Sequence, residues 1–100
     1  MAVTLEATAP GQWKLSGELN FASVPDAWEK LRPLVGRPGR VTVSLAGVGR
    51  SNSAGLGLLL EGLAHARRAE CDLRYTALPA ALMDLAKVSN LEGLIGAALV

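Results

Sequence analysis

The residues able to do chemistry in this chain are few. It has one histidine, His65, and one cysteine, Cys71. A zinc centre draws three or four ligands, mainly His and Cys. One chain of this composition cannot build a His/Cys-rich site, so no metal and no cofactor is expected. The lone thiol has no internal disulfide partner and fits a reducing compartment. Ser51 and Ser53 carry hydroxyls near a helix start, yet neither lies in a G-x-S-x-G elbow. A phosphate-cradling G-x-x-x-x-G-K-[ST] loop is absent, so the chain should not hydrolyse ATP itself. Gly47-Val48-Gly49 runs into Arg50-Ser51-Asn52, and Gly55-Leu56-Gly57 runs into three leucines, so no dinucleotide fingerprint forms either. Ser53 with His65 is the remaining route to a small hydrolase, and no catalytic residue is assigned.

The stretch from Arg50 to Leu60 carries the most information. It reads as a strand exit leading into a helix N-terminus, where unpaired N–H groups and the positive end of the helix dipole gather. Ser53 stands at the N-cap position of a helix predicted from about Ala54 to Arg68. A hydroxyl there can cap the helix, touch a partner or carry a phosphate. Gly55, Gly57 and Gly62 each weaken a helix by up to about 1 kcal/mol relative to alanine. Close packing is the simplest reason to keep them. On a helical wheel Leu56, Leu59, Leu60 and Leu63 share one narrow arc and are predicted to face a sheet. Leu58 falls almost opposite, with Ala54, Glu61 and His65, and Arg68 lies nearby. That outward face is the expected docking surface. Asn52, Ser53, Ala54 and Gly55 form its small-residue tip, Leu58 its middle, and Glu61 and His65 its far part. Burial of Leu58 would overturn it. Plainer readings stand beside these. Ser53 can be a cap alone and His65 a solvated helical histidine. Arg67 and Arg68 can serve the helix dipole or meet a partner's acid or a lipid phosphate.

These residues need a scaffold. Val3, Leu5 and Ala7 alternate with polar neighbours and predict a strand; Pro10-Gly11 predicts a turn, and Trp13, Leu15 and Gly17 a second strand. Ser23, Pro25 and Asp26 signal a helix start, followed by an apolar stripe of Val24, Ala27, Trp28, Leu31 and Val35. Pro33 limits that helix near its end. Val41, Val43 and Leu45 predict a third strand, with Gly47, Gly49, Ser51 and Asn52 as a short connection. Cys71, Leu73 and Tyr75 predict a fourth. A last helix opens at Pro79, runs to about Val88 and ends at Asn90, while the tail from Leu91 to Val100 reads as either a short helix or an edge strand. The order β-β-α-β-α-β-α implies an opening antiparallel pair and then parallel neighbours joined by right-handed crossovers. Clean alternation in the strands predicts a sheet covered mainly on one face.

Half of the 100 residues are hydrophobic, 19% are charged and the net charge is +1. That suits one folded domain over residues 1–100 and gives no basic excess for nucleic acid or an anionic membrane. The opening Met1-Ala2-Val3-Thr4-Leu5-Glu6 has no basic and no apolar region of a signal peptide. Apolar runs fall far short of the ~20 residues of a membrane span. A cytoplasmic location without membrane insertion is expected.

Asn52-Ser53-Ala54-Gly55-Leu56 resembles the signature of the STAS domain family, an acidic residue, a hydroxyl, a small residue, glycine and leucine after the third strand. Leu15-Ser16-Gly17-Glu18-Leu19 resembles the family's second-strand motif, and Val41-Thr42-Val43-Ser44-Leu45 the strand before the signature. Leu85-Ala86-Lys87-Val88-Ser89-Asn90-Leu91 resembles the end of its third helix. Phe21-Ala22-Ser23-Val24-Pro25 with Trp28, the compact length and Gly17-Glu18-Leu19 are similar to the MlaB branch. The resemblance covers nearly the whole chain. It implies a STAS-like α/β fold and a non-catalytic accessory subunit of the Mla phospholipid transporter. Such a subunit binds the ABC ATPase, MlaF, reaches the permease complex through it, and sits beside the inner membrane in the cytoplasm. The signature hydroxyl falls on Ser53. The alternative it carries is an anti-sigma-factor antagonist switched by a kinase partner through phosphorylation of Ser53. Asn52 stands where that switch has an acid, which weighs against kinase control.

Overall fold

Two period-two alternations around Pro10-Gly11 make the opening hairpin. The computed structural model describes residues 3–100. Met1 and Ala2, part of the segment in which no leader was read, lie outside the described residues. Strand β1 (Thr4–Ala9) pairs antiparallel with β2 (Gln12–Leu19), with Leu5 opposite Leu15 and Glu6 opposite Lys14. Helix α1 (Val24–Val35) returns the chain to β3 (Gly39–Ser51), which lies parallel to β2. Helix α2 (Ser53–Arg68) returns it again to β4 (Cys71–Thr76), parallel to β3. Helices α3 (Ala80–Val88) and α4 (Glu92–Ala97) complete the chain. The sheet order is β1-β2-β3-β4. This is the expected mixed sheet, an antiparallel opening followed by parallel strands.

The strand alternation divides the sheet. Leu15, Leu19, Val41, Val43, Leu45, Leu73 and Tyr75 are buried together under the helices. Lys14, Ser16, Thr42, Ser44, Asp72 and Arg74 occupy the intervening positions, and Arg74 and Arg40 both reach Asp72 there, at 2.9 and 3.5 Å. Burying each large aliphatic chain in the core is worth roughly 1.5–3 kcal/mol.

Strand β3 is longer than its sequence signal. Gly47, Gly49 and Ser51, expected in a connection that ends at Asn52, continue the strand beside β2, with register shifts between Lys14 and Ser16 and between Gly17 and Leu19. The glycines disguise it because they break the alternation. Gly47 is there for space: a Cβ would collide with the Ser16 hydroxyl. Ser23 also departs from expectation. It makes no side-chain cap for α1; instead the Asn20 side-chain oxygen accepts from the Ala22 and Ser23 amides, and the Ser23 hydroxyl donates to the Glu18 carbonyl at 2.6 Å. Pro33 lies in the last turn of α1, which ends at Val35, near the expected limit.

The tail takes the short-helix reading and forms no further strand. Residues Glu92–Ala97 form a short helix, and Leu99 then makes a single parallel bridge to Tyr75 at the free edge of β4. Asn90 ends α3 as expected: its φ is 59°, the Leu91 amide bonds the Ala86 carbonyl and the Asn90 amide the Lys87 carbonyl. That is the glycine-type helix termination, with asparagine taking the left-handed position.

Candidate functional site

The site grows from the junction of β3 and α2. The Asn52 amide donates to the Leu19 carbonyl at 3.1 Å, which ties the junction to the end of β2. The Asn52 side-chain oxygen accepts from the Ala54 amide at 2.9 Å, so Asn52 is the N-cap and the helix begins at Ser53. The expected cap at Ser53 is therefore corrected by one residue. With capping done by its neighbour, Ser53 is exposed in the first turn, and none of the side-chain hydrogen bonds among the described residues uses its hydroxyl.

The outward leucine face does not exist. Leu58 is 2% exposed and belongs to the main core. Ala54 and Gly55 are buried as well. The line of α2 nearest the sheet is Gly55, Leu59, Gly62 and Ala66, roughly a quarter turn from the arc the wheel selected. A Cβ on Gly55 would come within 3.0 Å of Leu19 Cβ, and one on Gly62 within 2.6 Å of the Tyr75 hydroxyl. Tyr75 donates to the Leu59 carbonyl at 2.8 Å across that gap, and burial raises its pKa well above the ordinary 10.0. The small residues set the closest approach, and the leucines wedge on either flank. Leu58 turns toward α1, where it shares a groove with Phe21, Val24, Pro25 and Trp28. Leu60 and Leu63, expected against the sheet, are only half-buried and line a different groove beside β4.

His65 is corrected too. It is half-buried and meets Trp28 edge-on, with ring centroids 5.4 Å apart. It lies about 18 Å along the helix from Ser53, so the two do not form a nucleophile–base pair. Glu61 is exposed, as expected. Gly57, not assigned to the surface beforehand, is exposed, and a Cβ there would meet nothing within 4 Å.

The surface that remains is the α2 tip of Asn52, Ser53, Gly57 and Glu61. On one side lies the α1/α2 groove with Phe21, which is 74% exposed. On the other is a groove shared with α3, lined by Asp84 and Leu85 and by Val88, which is 87% exposed. An aromatic and a branched aliphatic side chain thus flank the tip in solvent. The sequence reading missed both, because Phe21 precedes its helix and Val88 closes one, where no periodicity assigns a face. Among the described residues no three His, Cys, Asp or Glu side chains come together as a metal site, and no helix is long and apolar enough to cross a membrane.

A family model described as "Mlab, STAS domain" matches residues 5–97. The chain belongs to the MlaB STAS domain family. This STAS domain also has the fold of a solved anti-sigma factor antagonist, SpoIIAA in its unphosphorylated form. The two are 15% identical, with a TM-score of 0.67 over 99% of this chain and 86% of that one. No curated protein matches the chain. The STAS signature thus spans the N-cap and first turns of α2, with Asn52 and Ser53 outside and Ala54, Gly55 and Leu56 inside.

Proposed function

We propose that this STAS domain is a non-catalytic assembly and regulatory subunit of an Mla-type phospholipid transporter, where it binds the cytoplasmic ABC ATPase through the tip of α2 and reaches the permease through that ATPase. The exposed Ser53, freed from capping by Asn52 and flanked by solvent-exposed Phe21 and Val88, is the observation that carries this reading. Apolar side chains around a small polar centre make the kind of patch that a protein partner covers. Ser53 and Gly57 carry little side-chain bulk, so a partner's backbone can come close.

The subunit would act by binding energy alone. It shifts the ATPase toward a competent conformation by no more than its difference in affinity for the ATPase states. The test is co-purification of the Mla-type ATPase with Ser53→Arg and Phe21→Asp variants. Both should lose the ATPase while keeping the parent's melting temperature within a few degrees, as exposed positions do. Retention of the ATPase by both variants sinks the tip as the docking surface.

A second reading has one observation in its favour. Ser53 is exposed in the first turn of α2, where the helix dipole favours a phosphate. Asp84 lines the same groove and opposes added negative charge, which ranks this switch second. Intact mass of protein from its native cell decides it: a stoichiometric phosphate, absent in Ser53→Ala, establishes the switch.

A further inference from the structure

The C-terminal half of α2 borders another groove, on the flank that faces β4 and α4 rather than α1. It has a volume of about 550 Å³ and lies open to solvent between α2, β4 and α4. Leu60, Leu63, Leu73 and Leu94 give it an apolar floor, and Leu94 is 54% exposed. Its rim is basic. Arg67 and Arg68 come from the last turn of α2 and Arg74 from β4. Asp72, the carboxylate in the lining, is already shared by Arg74 at 2.9 Å and Arg40 at 3.5 Å, and Arg74 also donates to the Ala97 carbonyl at 3.3 Å. Among the described residues no ion pair engages Arg67 or Arg68.

We infer that this groove receives a short amphipathic helix of a partner protein, its apolar face on the leucines and its flanking carboxylates on Arg67 and Arg68. The charge pattern selects acids, because two guanidiniums stand beside apolar surface with no ion-pair partner among the described residues, and their planar forks match carboxylates. The open shape selects a helix. A trough lets an amphipathic helix bury one face and keep the other in water, whereas a lipid or small ligand needs enclosure over most of its surface. The inference stands apart from docking at the tip and uses none of the tip's residues.

The test is titration of the isotopically labelled full chain with a synthetic helix of roughly 14 residues. Leucines at helical spacing form its apolar face and glutamates flank them; a second peptide has lysines in their place. The glutamate peptide should shift the amides of Ala64, Leu94 and Ala97, bind about tenfold more tightly than the lysine peptide, and weaken as salt rises. The double variant Arg67→Glu/Arg68→Glu should reverse the preference. Both arginines are exposed, so the variant keeps its fold, which its spectrum verifies. Equal binding of the two peptides, shifts centred on Ser53 and Gly57, or no peptide binding would each overturn the inference. So would arginine-dependent binding to phosphatidylglycerol vesicles with no response to peptide, which assigns the groove to a membrane surface.

Discussion

Gly57→Ala and Gly62→Ala make the same chemical change five residues apart on one helix, and the packing around α2 requires them to act in opposite directions. Alanine in a helix interior is more favourable than glycine by about 1 kcal/mol. At Gly57 nothing opposes that gain, because the added Cβ meets no atom within 4 Å. Gly57→Ala should therefore raise stability by about 0.5–1 kcal/mol, or roughly 4–8 °C in melting temperature per kcal/mol for a domain of this size. At Gly62 the added Cβ would sit 2.6 Å from the Tyr75 hydroxyl and 3.3 Å from Leu31 Cδ2. Relief means moving the helix from the sheet or displacing Tyr75 from the Leu59 carbonyl. Overpacking of this kind costs about 1–3 kcal/mol, and the lost hydrogen bond about 1 kcal/mol more. Against the same helix gain, Gly62→Ala should lose about 1–3 kcal/mol. Urea unfolding followed by circular dichroism, with the parent's m-value retained, measures both. Shifts of the same sign would refute the assignment of Gly62 to the sheet-facing line and Gly57 to the surface.

Leu58→Ala should destabilise the domain by about 2–5 kcal/mol as a buried leucine truncation, read by chemical denaturation, whereas an exposed leucine would cost under ~0.5 kcal/mol. Asn52→Ala should cost about 1 kcal/mol through loss of the N-cap, while Ser53→Ala stays within ~0.5 kcal/mol; equal losses would return the cap to Ser53. Tyr75→Phe should cost about 1 kcal/mol at neutral pH. Folding keeps the Tyr75 phenol protonated beyond its ordinary pKa of 10.0, and the unfolded chain ionises there first. Stability is therefore lost as pH rises above that value, at about 1.4 kcal/mol per pH unit, and the advantage of tyrosine over phenylalanine should vanish near pH ~11. An advantage that persists unchanged there refutes burial of the phenol.

The division of labour inside α2 explains what the sequence could and could not reveal. Alternation of Val41, Val43 and Leu45 with Thr42 and Ser44, and of Cys71, Leu73 and Tyr75 with Asp72 and Arg74, was enough to read the strands, their buried face and the parallel order. Those signals are local, since a strand's side chains alternate whatever lies beyond it. The signature from Asn52 to Leu56 likewise pointed to the family and to the β3–α2 junction. The facing of α2 was not local. The wheel weighed leucines as the inward face, but α2 is covered on its flanks by α1 and α3 as well as beneath by the sheet. A helix with three neighbours has a wide buried arc, and the nearest line of contact belongs to its smallest residues. Gly55 and Gly62 therefore face inward with Leu58 beside them, and Gly57 faces out, although the sequence presents all three glycines alike. The chain alone determined the four strands, the first three helices and where the junction lies, while the fate of the tail after Leu91 was left to the structure. Only the packed structure decided which side of that helix stays exposed, because exposure is set by neighbours far away in sequence.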